Sequence, residues 1–149
     1  MSSSADLYCV MGNPVAHSRS PAIHARFAEL TAEHLVYERC LLPIDGFAQG
    51  VRDFIARGGR GCNVTVPFKI EAAALATQRS ERVQLAGAAN TLVFGPDGIH
   101  ADNTDGLGLV ADITRNAGLA LAGRDVLLVG AGGAAAGVLG PLLQAGVRH

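Results

Sequence analysis

Polar side chains that could do chemistry are concentrated between residues 63 and 69, where the sequence is Asn-Val-Thr-Val-Pro-Phe-Lys. Asn63 and Thr65 alternate with valines. This period of two predicts a strand with one apolar face and one face that carries an amide and a hydroxyl. Pro67 lacks a backbone donor and therefore ends the strand, and proline suits the first turn of a helix. Lys69 is therefore predicted in the first turn of the helix that follows.

The chain has 12 lysine and arginine side chains, of which 11 are arginines and one is Lys69. Arginine cannot replace an ammonium group that has to give up its proton. A cation in the first turn of a helix also faces the positive end of the helix dipole, which is an unfavourable position for it. We therefore interpret Lys69 as a functional residue rather than as a solvated surface lysine.

Two serines precede a predicted helix in the segment His17-Ser-Arg-Ser-Pro21. Ser20 followed by Pro21 predicts a helix cap and the first helical residue. Ser18 is not needed for that cap, so its hydroxyl is the more informative of the two. Hydroxyls and backbone N–H groups at the N-terminus of a helix are suited to bind a carboxylate.

An acidic segment follows a predicted β-hairpin. Two apolar runs flank Gly-Pro-Asp-Gly at residues 95–98, which predicts a hairpin with Asn90 at the start of one strand and Asp102 at the end of the other. Either Asp102 or Asn103 is predicted to cap the helix that comes next. Asp105 is not needed for capping and is assigned to chemistry.

A glycine-rich turn follows the segment Asp125–Val129, which is predicted to be a buried strand. The turn reads Gly-Ala-Gly-Gly-Ala-Ala from residue 130. A GxGxx(G/A) motif between a strand and a helix is typical of dinucleotide binding, with a pyrophosphate on the backbone N–H groups. A tight turn without a ligand is the alternative, and the strand–turn–helix context favours the dinucleotide. The residue that reads the ribose would lie about 20 positions further on, beyond His149.

Composition limits the classes of function. The chain has 149 residues, 49% hydrophobic and 17% charged, which is enough for about one domain with a packed core. A net charge of −1 without a basic block argues against nucleic acid or an anionic membrane as the partner. The histidines lack metal-ligand spacing, so no metal site is predicted. The three cysteines form no CxxC pair and are expected to be buried thiols of a cytoplasmic protein.

Two further stretches bear on localisation. Residues 126–147 contain no charged side chain, but they include six glycines and Pro141, which favours strand, turn and helix over a membrane span. The segment Met1–Asp6 lacks the charged and apolar regions of a signal peptide.

The rest of the chain alternates short strands with helices, a pattern that predicts an α/β fold with a mostly parallel sheet. The helix after Pro21 carries Ile23, Phe27 and Leu30 on one face, which is predicted to be buried. The other predicted elements are strands at residues 7–11 and 36–42 and helices at 47–55, 70–76 and 80–87.

Five segments together resemble the shikimate dehydrogenase family, in its order and at its spacing. They are His17–Pro21, Asn63–Lys69, Gly87–Thr91, Asp102–Gly106 and Gly130–Ala134. Members of this family have two α/β domains with a cleft between them and reduce 3-dehydroshikimate reversibly to shikimate with NADPH. The resemblance implies an NADP-dependent oxidoreductase of aromatic amino-acid biosynthesis.

The resemblance also implies roles for individual residues. Ser18 and Ser20 would hold the substrate carboxylate, and Lys69 would be the catalytic acid and base, with Asp105 beside it. Ring hydroxyls would be bound by Asn63, Thr65, Asn90 and Asp105. The cofactor would contact Gly130, Ala131, Gly132, Gly133 and Ala134 at its pyrophosphate and Glu81 on its nicotinamide side.

The implied architecture is a substrate-binding and catalytic α/β domain at residues 1–105. A linker helix and the first βα unit of an NADP-binding Rossmann domain follow at residues 106–149. Because members of the family are longer, we expect this second domain to be truncated and the 149 residues alone to lack useful dehydrogenase activity. Two alternatives stay open: a quinate/shikimate dehydrogenase that uses NAD, and a non-catalytic shikimate-binding fragment. A homodimer is also left open.

Overall fold

The computed structural model describes residues 5–149 and is built on a six-stranded sheet of order β2-β1-β3-β5-β6-β4. The strands are β1 (Asp6–Gly12), β2 (Leu35–Leu41), β3 (Gly59–Val64), β4 (Gln78–Arg79), β5 (Thr91–Gly95) and β6 (Gly98–Asp102). The helices are α1 (Ser20–Thr31), α2 (Phe47–Ala56), α3 (Lys69–Leu75), α4 (Glu81–Ala86), α5 (Asp105–Ala111), which continues as a π-helical turn (Asp112–Asn116), and α6 (Gly133–Gln144). The signal-peptide expectation for the N-terminus concerns residues that lie mostly outside this range.

The sheet confirms the α/β fold with mostly parallel pairing. β1 pairs in parallel with β2 and β3, and β4 pairs in parallel with β6, whereas β5 runs antiparallel to β3 and β6. Helices α1 and α2 make the crossovers that parallel neighbours require. The sequence pattern did not predict β4, because two exposed polar residues carry no periodic signal.

The strand ends that matter for function meet at one edge of the sheet. Met11 near the end of β1 is in register with Val64 at the end of β3, and Asn63 is in register with Thr91 at the start of β5. Thr91 in turn faces Asp102 at the end of β6. The segments that follow β1, β3 and β6 therefore converge with the segment that precedes β5.

The main hydrophobic core lies between the sheet and helices α2, α3 and α4. Phe47 and Phe68 are fully buried there and stack with their ring centroids 5.1 Å apart. Phe54 and Val51 fill the same layer from α2. This core packs α3 against β3. Because α3 begins at Lys69, the packing also fixes the position of Lys69.

The three cysteines lie on neighbouring strands as free thiols. Cys9 and Cys62 are register partners and are buried, which confirms the prediction for these two, whereas Cys40 is only partly buried. A hydrogen bond with Cys9, together with burial, raises the pKa of the Cys40 thiol. All three side chains therefore act as small apolar groups of the core.

Helix α1 forms where the sequence predicts it, but its apolar face is not buried. Ile23, Phe27 and Leu30 are 48%, 54% and 65% exposed, because none of the described segments packs over that side of the helix. The cap is also displaced by one position, since Arg19 occupies it and Ser20 is the first helical residue. Val66, which the strand alternation assigns to an apolar face, lies beyond the end of β3 and is exposed.

The segment Asp125–Val129 is not a buried strand, so that prediction is wrong. Leu127 and Val129 are 88% and 86% exposed, because Val126 pairs with His149 rather than with a strand of the sheet, and nothing in the described chain covers the segment. Helix α6 forms as predicted, and Val138 and Leu142 on it make a second small core with Leu121. Within residues 5–149, no helix combines the length and the apolar composition that a membrane crossing needs.

A carboxylate joins the hairpin to helix α4. Ser80, which caps α4, donates to Asp102 at 2.7 Å, and Arg82 binds the same carboxylate through two nitrogens. Burial alone would raise the pKa of Asp102, but the hydrogen bonds from Arg82, Ser80 and the backbone of Asn103 outweigh it and lower the pKa. The charged form of Asp102 therefore stabilises the fold.

We predict that Asp102→Asn lowers the free energy of unfolding by about 1–3 kcal/mol at pH 7, because a carboxylate with several donors loses its charge. The pKa of Asp102 is lowered in the folded state, so its contribution is complete above the unfolded pKa, near 3.8, and is lost as the pH falls through the folded pKa. Urea unfolding from pH 3 to pH 8 measures the difference.

Glu29→Gln is the matched control, since it breaks an exposed ion pair with Arg26. It should change stability by less than about 0.5 kcal/mol. A constant difference between Asp102→Asn and the original chain at every pH would contradict the linkage.

Candidate active site

The edge where the strand ends meet contains a cavity of about 350 Å³. All seven residues that the sequence assigns to substrate binding or catalysis line it. They are Ser18, Ser20, Asn63, Thr65, Lys69, Asn90 and Asp105. The residues come from four separate segments of the chain, and the sheet topology is what brings them together.

Lys69 and Asp105 form an ion pair inside this cavity, where the Lys69 ammonium donates to Oδ2 of Asp105. Each is the first residue of its helix, Lys69 of α3 and Asp105 of α5. Their side chains are only 12% and 25% exposed. The pair is therefore largely shielded from solvent while both groups still face the cavity.

Asn90 fixes the second oxygen of the same carboxylate. Its Nδ2 donates to Oδ1 of Asp105 at 2.9 Å, and its Oδ1 accepts from the Thr104 backbone at 3.0 Å and from the Thr91 hydroxyl at 2.9 Å. These acceptor contacts set the orientation of the Asn90 amide. Both oxygens of Asp105 are thus held by donors, so the carboxylate has a defined position beside Lys69.

Asn103 supports this arrangement through hydrogen bonds to the backbone of Ala88 and Asp105. It is 1% exposed, the most buried polar residue of the described chain. Its Nδ2 donates to the Ala88 carbonyl at 2.9 Å, and its Oδ1 accepts from the backbone N–H of Asp105 at 3.1 Å. The N-cap of α5 is Thr104, without a side-chain cap bond, so the prediction that Asp102 or Asn103 caps this helix is wrong. Asn103 instead precedes the cap and ties the first residue of α5 to the segment before β5.

The serines sit at the N-terminus of α1. The Ser18 hydroxyl lies 3.2 Å from the Ser20 hydroxyl and accepts from the Ser20 backbone at 3.3 Å. Arg39 on β2 donates two hydrogen bonds to the Ser18 carbonyl, at 2.9 and 2.6 Å. Both hydroxyls line the cavity. The Arg39 guanidinium holds the loop that carries them and adds positive charge beside it.

Asn63 and Thr65 occupy the end of β3 and the turn after it. Asn63 accepts a hydrogen bond of 2.6 Å from the Tyr37 hydroxyl, and the Thr65 backbone donates to the Met11 carbonyl at 2.9 Å. Tyr37 in turn stacks on His24, with ring centroids 4.1 Å apart. Burial lowers the pKa of His24, against a hydrogen bond with Asn63 that raises it, so the imidazole favours its neutral form.

The glycine-rich turn lies beside Lys69. Gly130 has a φ of +122°, a conformation that favours glycine, and α6 begins at Gly133. A side chain on Gly133 would come within 2.9 Å of Cβ of Lys69, whereas one on Gly132 would meet no atom within 4 Å. The turn therefore leaves open space at the N-terminus of α6, next to the ion pair. Glu81, the other predicted cofactor contact, is exposed on α4 and does not line the cavity.

The arrangement can carry out proton transfer on a bound polar ring. An ammonium group held beside a carboxylate can donate a proton to an oxygen on which negative charge develops and can take it back in the reverse direction. Amide, hydroxyl and carboxylate groups around it supply both donors and acceptors for ligand hydroxyls. The serine hydroxyls at the N-terminus of α1 are suited to an anionic group.

The fold and the cavity define an α/β domain that holds a polar ligand site at the ends of its strands. Residues 10–92, more than half of the chain, match the family model of the shikimate dehydrogenase substrate binding domain. The chain therefore belongs to this family.

Named relatives agree with the family. The chain is 79% identical to shikimate dehydrogenase (NADP(+)) of Verminephrobacter eiseniae, and the alignment covers 100% of the chain and 52% of that relative. The crystal structure of shikimate dehydrogenase from Aquifex aeolicus matches with a TM-score of 0.91 at 28% identity, over 99% of this chain and 55% of that one. The Thermus thermophilus enzyme in complex with shikimate matches with a TM-score of 0.86 at 34% identity, over 96% and 54%. The chain thus spans about half the length of the curated relatives it matches.

Sequence reasoning missed the residues that hold the cavity-lining residues in position. Asn103 was considered only as a helix cap, and Tyr37, Arg39 and His24 were not singled out. Tyr37 and Arg39 are two positions apart on β2, so the strand period places them on one face. That signal shows a shared face but does not reveal which loops the side chains reach.

We predict that Asn103→Ala lowers the free energy of unfolding by about 2 kcal/mol, because the Ala88 carbonyl and the Asp105 N–H lose a buried partner. Asn116→Ala is the control, since Asn116 makes an exposed hydrogen bond to Asp112 one helical turn away. Urea unfolding at pH 7 measures both variants. Equal stability of the two variants would show that Asn103 does not support α5.

Proposed function

We propose that this chain provides the substrate site and the proton-transfer residues of a shikimate dehydrogenase, which reduces 3-dehydroshikimate reversibly to shikimate with NADPH. One observation carries the proposal: the Lys69–Asp105 ion pair lies in the same cavity as all the other residues expected to bind substrate. The family membership and the Thermus thermophilus enzyme with bound shikimate support the choice of substrate.

The proposal assigns residues 1–105 to the substrate-binding and catalytic domain and residues 106–149 to the start of a dinucleotide-binding domain. The two hydrophobic clusters support this division, because one lies around the sheet and the other lies around α6. The exposed residues Leu127 and Val129 fit a first strand that pairs with further strands in longer relatives.

The substrate would enter with its carboxylate towards the serine loop. Ser18 and Ser20 donate from their hydroxyls to the carboxylate, and the guanidinium of Arg39 behind Ser18 favours its negative charge. Asn63, Thr65 and Asn90 then face the ring hydroxyls. Discrimination by such paired groups is strong, because an analogue without the matching hydroxyl leaves buried polar atoms without partners.

Lys69 moves the proton in this mechanism. During reduction, negative charge develops on the carbonyl oxygen of the ring, and the ammonium stabilises it and then donates its proton to form the hydroxyl. In the reverse direction the neutral amine accepts that proton. Asp105 holds the amine in place through a hydrogen bond, and Asn90 fixes Asp105.

The residues around the glycine-rich turn fit the pyrophosphate end of a dinucleotide. Gly130 forms the turn, Gly132 leaves open space, and the N-terminus of α6, with its free backbone N–H groups, begins there. The bound nicotinamide supplies the hydride. The close approach of Gly133 to Lys69 supports a cofactor turn near the proposed proton donor. The curated relatives are named as NADP(+) enzymes, which supports NADP over NAD.

Two alternatives make different predictions. A quinate/shikimate dehydrogenase would oxidise quinate as well and would use NAD. A non-catalytic shikimate-binding fragment would bind the acid without transforming it, but an ammonium paired with a carboxylate is not needed to bind an anion.

We further propose that the protein acts in the cytoplasm, in keeping with its free thiols. The proposal is compatible with a monomer or a homodimer, which sedimentation equilibrium distinguishes.

We predict that the double variant Ser18→Ala, Ser20→Ala of this chain binds shikimate about tenfold more weakly or worse, because the carboxylate loses two donors. Isothermal titration calorimetry measures the affinities. Shikimate methyl ester is the control ligand, because without the charge the original chain and the variant should bind it almost equally. An equal loss for acid and ester would contradict the role of the serines.

We predict that Lys69→Met lowers turnover by about 10²–10⁴-fold while shikimate affinity changes little, because only the proton donor is lost. The assay follows NADP reduction by shikimate in this chain extended with the second half of the Verminephrobacter eiseniae relative. Arg60→Met, at an exposed ion pair with Asp6, is the control and should keep normal turnover.

The same assay separates the alternatives. Activity with NADP in the extended protein but not in the 149-residue chain is the expected result. Near-normal turnover of Lys69→Met would refute its role, and efficient oxidation of quinate with NAD would favour the quinate/shikimate alternative.

A further inference from the structure

Strand β2 contributes no residue to the lining of the cavity, yet one of its side chains reaches a residue that does. The Tyr37 hydroxyl donates to Oδ1 of Asn63 at 2.6 Å, across 26 positions of sequence. We propose that Tyr37 is a positioning residue that fixes the Asn63 amide, so that Asn63 meets bound shikimate as a hydrogen-bond donor. The identity of the ligand in this proposal rests on the proposed function.

The contacts of the Asn63 amide determine which end faces which neighbour. Nδ2 lies 3.4 Å from the Asn90 backbone carbonyl, a group that can only accept. The amide nitrogen must therefore face Asn90, and the amide oxygen must face Tyr37. Since Oδ1 can only accept, the hydroxyl of Tyr37 is the donor. The two partners together exclude the inverted amide.

The Tyr37 hydroxyl is itself held in place. Its ring stacks on His24 with an angle of 5° between the planes. Burial raises the pKa of Tyr37, so the hydroxyl keeps its proton throughout the physiological range. Ser20 also lies close enough to the hydroxyl to act on its pKa in the opposite direction. Tyr37 therefore stands between the serine loop and the strand that carries Asn63.

The consequence for the ligand follows from the lengths of the remaining bonds. Both contacts of Nδ2, to the Asn90 carbonyl and to the Thr91 hydroxyl, are 3.4 Å long and therefore weak. The amide hydrogens are thus available to an acceptor in the cavity, such as the oxygen of a ring hydroxyl. Without Tyr37, Oδ1 would lose its short bond, and only the long contacts of Nδ2 would oppose inversion of the amide.

The test uses ¹⁵N-labelled chain and two tyrosine variants. Tyr37→Phe removes only the hydroxyl. Tyr8→Phe is the matched control, because Tyr8 is the register partner of Tyr37 on β1 but does not bond to Asn63. The side-chain amide signals of Asn63, identified by their absence in Asn63→Asp, report its orientation. Titration with shikimate reports affinity, and thermal unfolding shows that each variant is folded.

We expect Tyr37→Phe to shift the two amide signals of Asn63 and to weaken shikimate binding by about tenfold, as the loss of one well-made hydrogen bond would. Tyr8→Phe should leave both unchanged. Asn63→Asp keeps an acceptor for Tyr37 but removes the donor, so it should weaken binding at least as much. Retained affinity in Asn63→Asp would overturn the donor role even if Tyr37→Phe did not fold.

Three further outcomes also test the positioning role of Tyr37. Unmoved Asn63 signals in Tyr37→Phe would overturn the positioning role, whatever happens to the affinity. Shifted signals with unchanged affinity would overturn the claim that the orientation matters to the ligand. If the original chain did not bind shikimate, the proposed function would fail, and the Asn63 signals in Tyr37→Phe would still decide whether Tyr37 sets the amide.

Discussion

The ion pair between Lys69 and Asp105 is the interaction on which the rest of the site depends. The two residues are 36 positions apart, and each begins a helix that leaves the same edge of the sheet. They meet only because β3 and β6 end at that edge, on either side of the antiparallel strand β5. Any change of register in this part of the sheet would separate the ammonium from its carboxylate, so the geometry of the sheet is also the geometry of the site.

Around this pair, two asparagines and an arginine provide the orientation. Asn90 holds one oxygen of Asp105, and the buried Asn103 holds its backbone N–H. Arg39 fixes the loop that carries the serines. The contacts of Asn90 and Arg39 join separate segments of the chain, so they stabilise the fold and arrange the site at once. Such preorganised donors are effective because they need no reorganisation when charge develops on a ligand.

Local patterns predicted most of the helices and strands but not their surroundings. The alternation at Asn63 and Thr65 and the helix start at Ser80 each depend on a few neighbouring residues, and the structure places β3 and α4 accordingly. The predicted strand at residues 125–129 did not form, because a strand needs partner strands along its length, and this segment joins none of the strands of the sheet. The hydrogen bond from Tyr37 to Asn63 spans 26 positions and follows from the strand order, which no local pattern contains.

The most direct test of the account is a crystal structure of this chain with shikimate. We expect a ring oxygen within about 3 Å of both the Lys69 ammonium and the Asp105 carboxylate, and the ligand carboxylate at the hydroxyls of Ser18 and Ser20. A neighbouring groove of about 440 Å³ on the sheet face shares His24 and Asn63 with the cavity. Shikimate bound in that groove, or bound in the cavity with its carboxylate on Lys69, would contradict the account.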